Sequence, residues 1–118
     1  MTDWKKELAD WCEGVKEFNT QMPEAGHDFR KLHVDVSKDG AISTKNKELM
    51  GFVIGIVQRC DDCITTHCDA AIKTGATMDE IKEAIQIALL MGGGPEYMYG
   101  GHAIEVAKQL MKDKWSNN

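Results

Sequence analysis

Residues 49–57 read Leu-Met-Gly-Phe-Val-Ile-Gly-Ile-Val and carry no polar side chain on any face. A helix apolar all round is stable in water only when other elements cover it from several sides. Ser43 or Thr44 can cap such a helix, and its run to about Arg59 is too long for a typical strand. Gly51 and Gly55 lie one turn apart and allow a second backbone to approach closely. The chain therefore has to organise itself around a central helix.

The flanking segments carry the same periodicity. Trp4, Leu8, Trp11, Val15 and Phe18 recur at spacings of three and four, with Thr2 or Asp3 available as a cap. Met22-Pro23-Glu24 interrupts this stripe, Phe29, Leu32 and Val36 form a shorter one, and Lys38-Asp39-Gly40 is a turn signal. A fourth helix is expected from Asp61 or Asp62 to about Lys73, closed by Thr74-Gly75. Thr77-Met78-Asp79-Glu80 is a capping box opening a fifth helix with Ile81, Ala84, Ile85, Ala88 and Leu89 on one face. Gly92-Gly93-Gly94-Pro95 stops it, and Pro95 suits the first turn of a sixth helix ending near Lys114. Residues 115–118 read as a frayed tail. The expected fold is all-α, with about six helices in one domain spanning residues 1–118.

At 118 residues the chain is long enough to bury a core without disulfide staples. Its formal charge of −5 argues against a surface that tracks nucleic-acid phosphates. No apolar run approaches the roughly 18 residues of a membrane helix, and the charged start does not resemble a signal peptide. The expected location is the cytoplasm, where cysteines serve redox or metal chemistry more often than structural disulfides.

Cys60-Asp61-Asp62-Cys63 sits at the start of the fourth helix, where two sulfurs can close a small ring and the helix dipole favours a thiolate. His67 follows four residues after Cys63, on the same helical face. If the third and fourth helices fold back on each other near residues 58–60, Glu48 falls about 3–5 Å along the axis from His67. Glu48, His67 and Cys63 then line up, with Glu48 orienting the imidazole and His67 accepting the thiol proton. Cys60 would be the partner sulfur. The competing readings are an inert buried cluster and a metal site using Cys60, Cys63, His67 and Cys68. Structural zinc usually draws on two separated ligand pairs, and Cys68 lies about 100° round the helix from His67.

Glu48, eleven residues, Cys60, two residues, Cys63, three residues and His67 together resemble the signature of the carboxymuconolactone decarboxylase family, in its alkylhydroperoxidase D-like branch. Lys47-Glu48-Leu49, residues 71–77 and Gly92-Gly93-Gly94-Pro95 fit as well, so that the resemblance covers about residues 22–111. It implies an all-helical hairpin fold assembled as a homotrimer or homohexamer. It also implies a thiol-dependent reductase of peroxides or of protein or small-molecule disulfides, with Cys60 and Cys63 as the redox pair and Glu48 and His67 as the proton relay. A cellular thiol would return the reducing equivalents, and no cofactor or metal is required. This chain has Asp62 where alkylhydroperoxidase D proteins often have His. Asp61 and Asp62 oppose thiolate formation, which weighs against peroxide attack more than against disulfide exchange. The alternative is a decarboxylase-like lyase or hydrolase using Glu48 and His67 as acid and base.

Cys12 and Cys68 have no partner at useful spacing and read as small buried hydrophobes. His102, after the glycine loop, reads as a surface or structurally bonded histidine, and His27 and His33 as members of a solvated face. The glycine loop lacks a P-loop ending and reads as a helix stop. Tyr97, Met98 and Tyr99 could line a pocket or an oligomer contact.

Overall fold

The computed structural model describes residues 1–115. Six α-helices follow one another: α1 (Trp4–Gln21), α2 (Pro23–Ser37), α3 (Thr44–Val57), α4 (Asp61–Lys73), α5 (Met78–Gly92) and α6 (Gly94–Met111), with a 3-10 turn at Lys112–Lys114. The fold is all-helical, with no strand among the described residues. None of these helices is long and apolar enough to cross a membrane.

Local chemistry sets the boundaries. Asp3 accepts from the Lys6 amide and Ser43 from the Asn46 amide, each at 3.1 Å, capping α1 and α3. Thr77 and Glu80 form the reciprocal capping box of α5. Gly93 ends α5, and Pro95 lies in the first turn of α6. The turn between α2 and α3 is tied by Lys47, whose ammonium donates to the Val36 and Lys38 carbonyls at 2.8 and 2.6 Å.

The α3–α4 connection is a Schellman turn. The Cys60 amide donates to the Gly55 carbonyl and the Arg59 amide to the Ile56 carbonyl, both at 3.0 Å. Arg59 occupies the left-handed position, φ 56°, at a cost of about 1–2 kcal/mol for a residue with a side chain. Cys60 ends this turn and also N-caps α4, its sulfur accepting from the Cys63 amide at 3.1 Å.

α3 packs on α4, α5 and α6, as its apolar run requires. Phe52 and Ile56 of α3, Ile64 and Cys68 of α4, Ile81 and Ala88 of α5, and Ala103, Val106 and Ala107 of α6 are fully buried. Cover is nevertheless incomplete, because Met50, Ile54 and Val57 of α3 remain exposed. The α2 stripe of Phe29, Leu32 and Val36 is exposed as well. On α1, Trp4 is buried and Leu8, Trp11 and Val15 are half-buried, whereas Phe18 is exposed.

Two expectations need correction. Cys12 is exposed rather than buried, since it lies off the Trp4–Val15 stripe that faces the core. Trp115 is not frayed: it packs against the core, and the Lys82 ammonium sits 5.0 Å from its ring centroid. The remaining tail residues, 116–118, lie outside the described residues.

At Gly51 an added β-carbon would meet the His67 ring at 2.9 Å, and at Gly55 it would meet the Cys63 β-carbon at 3.0 Å. Gly→Ala inside an exposed helix normally gains about 1 kcal/mol of propensity. At Gly55 the clash outweighs that gain. Gly55→Ala is expected to destabilise the protein by about 1–3 kcal/mol in urea unfolding.

Candidate active site

Glu48, Cys60, Cys63 and His67 meet along the α3–α4 contact. Gly51 stands against the His67 ring and Gly55 against Cys63, so both α4 residues face α3. Cys60 and Cys63 are joined as a disulfide. Among the described residues no group of three His, Cys, Asp or Glu side chains is gathered as a metal site.

His67 Nδ1 lies 2.7 Å from Glu48 Oε2, across nineteen residues of sequence. Glu48 is 6% exposed and His67 half-buried. In the tautomer in which Nδ1–H donates to the Glu48 carboxylate, the Nε2 lone pair is left free. The hairpin arithmetic thus brings Glu48 and His67 into direct contact, with Cys63 one turn along the same face of α4.

Further groups surround this core. The exposed His33 of α2 meets the His67 ring edge-on, with centroids 6.2 Å apart. Sequence periodicity missed it, because His33 belongs to a helix whose packing angle no spacing rule fixes. His102 of α6 lies 3.7 Å from Asp61 and between the rings of Trp4 and Tyr99. It is an exposed histidine beside the cysteine pair, in ring contact with Tyr99. Tyr97 and Met98 are exposed, while Tyr99 is half-buried. Glu96 of α6 is 2% exposed and carries no motif that could have singled it out.

Cys68 stands apart from this chemistry. Burial, with a smaller contribution from Asp69, pushes its thiol up to about 12. It remains neutral at physiological pH and packs as a small hydrophobe.

The sequence profile of the carboxymuconolactone decarboxylase family matches residues 23–109. The chain belongs to this family. A family member from Legionella pneumophila, 32% identical, superposes with a TM-score of 0.88 over 92% of this chain and 97% of its own. A second, from Thermotoga maritima, for which involvement in an antioxidative response has been suggested, is 31% identical with a TM-score of 0.81, covering 90% of this chain and 91% of its own. An uncharacterised Cupriavidus necator protein is 29% identical over 87% of this chain and 91% of its own length. The all-helical architecture is thus the family's own, and it carries the cysteine pair at the α3–α4 turn.

Cys68 and Cys12 offer a contrast that mass spectrometry can read. In the folded, reduced protein at pH 8, iodoacetamide is expected to label the exposed Cys12 and spare Cys68. The sign of the shift also predicts alkaline behaviour. An unfolded chain ionises Cys68 from about pH 8.5, while the folded chain does so only near 12. Stability should therefore fall with pH between these values more steeply in wild type than in Cys68→Ala.

Proposed function

We propose that this family member is a thiol–disulfide oxidoreductase that reduces disulfides or peroxides with the Cys60/Cys63 dithiol. The observation that carries the reading is the bonded Glu48–His67 pair on the same helix contact as the Cys60–Cys63 disulfide. In the reduced protein, His67 takes the proton of Cys63 and Glu48 stabilises the resulting imidazolium. With a disulfide RSSR, the Cys63 thiolate attacks one sulfur, a mixed disulfide forms, and the first RS⁻ leaves with the proton returned by His67. Cys60, on losing its proton, attacks the Cys63 sulfur and expels the second RS⁻, which takes up that proton. The protein has then lost two electrons and closed its disulfide, and two RSH are released. With a hydroperoxide the first step yields a Cys63 sulfenic acid and an alcohol, and Cys60 then displaces water. In either case a cellular dithiol or thiol reopens the disulfide.

The working unit is a homo-oligomer. Leu90 at 76%, Met91 at 72%, Tyr97 at 73% and Met98 at 71% exposure flank the α5–α6 turn, while Phe29 is 72% exposed on α2. Large apolar side chains grouped around one turn suit an interaction surface better than a solvated face. Light scattering is expected to give three or six times the 13.1 kDa protomer. A monomer at micromolar concentration would overturn this.

The enzymatic reading is tested by steady-state reduction of an organic hydroperoxide and of a model disulfide, with dithiothreitol as donor. Cys60→Ser, Cys63→Ser and the double variant should each lose turnover. His67→Gln should fold normally and lose about 10²-fold or more near neutral pH, in keeping with the loss of a general base. A wild-type protein with no turnover above the uncatalysed rate would overturn this reading and favour lyase-type acid–base chemistry at Glu48 and His67, or a scaffold without turnover.

A further inference from the structure

Unusual features converge on the residue before Cys60 and on the side chain it meets. Arg59 holds a left-handed backbone conformation, φ 56°, at a position where helices usually end in glycine. Its Nε lies 3.6 Å from Oε1 of Glu96, a carboxylate only 2% exposed. The other oxygen, Oε2, is buried with no hydrogen-bond partner. The Glu96 carboxyl also occupies the space that a β-carbon on Gly92 would fill, so the α5–α6 turn is shaped around it. A buried carboxylate without a counter-charge is unfavourable, and Arg59 supplies that charge from a half-exposed position.

We propose that Arg59, anchored on Glu96, is a positioning residue that makes the Cys60–Cys63 disulfide easier to reduce. The inference rests on the dithiol reading above and adds a residue to it. Reduction takes up two electrons and two protons and yields two thiols, and a thiolate formed on Cys60 would lie at the start of α4. Asp61 and Asp62, in the first turn of that helix, raise the free energy of this anion. His102 faces Asp61 at 3.7 Å, and Glu96 faces Arg59. A guanidinium held one residue before Cys60 offsets the two aspartates and favours the reduced form. The Schellman turn gives Arg59 a fixed backbone position, and Glu96 gives its side chain a fixed anchor. Glycine would satisfy the turn alone. The arginine therefore contributes a charge at a position where the backbone by itself favours glycine.

The test equilibrates the full chain with graded mixtures of reduced and oxidised dithiothreitol at neutral pH. The dithiol fraction is counted by alkylation and mass spectrometry. Arg59→Gly suits the left-handed backbone and deletes the cation. Its equilibrium should move toward the disulfide by about threefold to tenfold, which is about 15–30 mV. Arg59→Lys should restore at least half of that shift on a logarithmic scale. Glu96→Gln should change the equilibrium while Arg59 is present and leave it unaltered in the Arg59→Gly background. Added salt should shrink the Arg59→Gly effect.

A purely structural contact would move the thermal midpoint and leave the redox equilibrium alone. That result, or an equal Glu96→Gln effect in both backgrounds, would overturn the proposal. If Arg59→Gly fails to fold, the Arg59→Lys and Glu96→Gln equilibria decide alone: Arg59→Lys close to wild type with Glu96→Gln shifted supports the proposal, and Glu96→Gln unchanged overturns it. The readout needs no turnover. An inactive wild type would remove the enzymatic reading and still leave the equilibria to decide on Arg59, whereas an unshifted Arg59→Gly in an active enzyme would remove only the role given to Arg59.

Discussion

The close approach of α3 to α4 is the constraint on which the rest depends. Two glycines one helical turn apart strip α3 of side chain where it meets the His67 ring and the Cys63 β-carbon. With any larger residue there, the helices would stand further apart and the 2.7 Å contact between Glu48 and His67 would open. The apolar character of α3 follows from the same geometry, because a helix pressed this closely on one neighbour still needs α5 and α6 on its other sides. Core formation and site formation are thus one packing event.

Few charged side chains are buried, and their distribution is informative. Glu48 and Glu96 are the two buried carboxylates among the described residues, on α3 and α6 respectively. Each reaches toward the α3–α4 hairpin, one to the imidazole of His67 and the other to the guanidinium of Arg59. Removing such a group from water is costly unless a partner of opposite charge or a hydrogen-bond donor compensates it. The cysteine pair is therefore bracketed by two buried acids with separate partners, while Asp61 and Asp62 remain in solvent.

Much of this was legible from the sequence because it depends on local rules. The capping box at Thr77 and Glu80, the cap at Ser43 and the span of α4 are set by residues within one turn of each boundary. The Glu48–His67 contact was legible for a related reason, since a tight hairpin turns sequence distance into axial distance. Contacts set by the crossing angles of distant helices were not. His33 reached His67 through the placement of α2, and Glu96 reached Arg59 through that of α6, without any spacing to announce either. The stripe of Phe29, Leu32 and Val36 showed which residues share a face of α2 but not that this face stays uncovered within the protomer.

Cys60 both finishes the turn after α3 and caps α4, so no spare residue separates the two helices. Each residue added to or lost from an α-helix turns everything beyond it by about 100°. Without slack in the connection, a single insertion between Glu48 and Cys60 could not be absorbed by a loop. It would swing the carboxylate to another side of α3 and leave the imidazole facing a different residue. The eleven residues between Glu48 and Cys60 act as a ruler. Point substitutions along that interval can drift as long as they pack, whereas its length is held by the rotation of the helix itself.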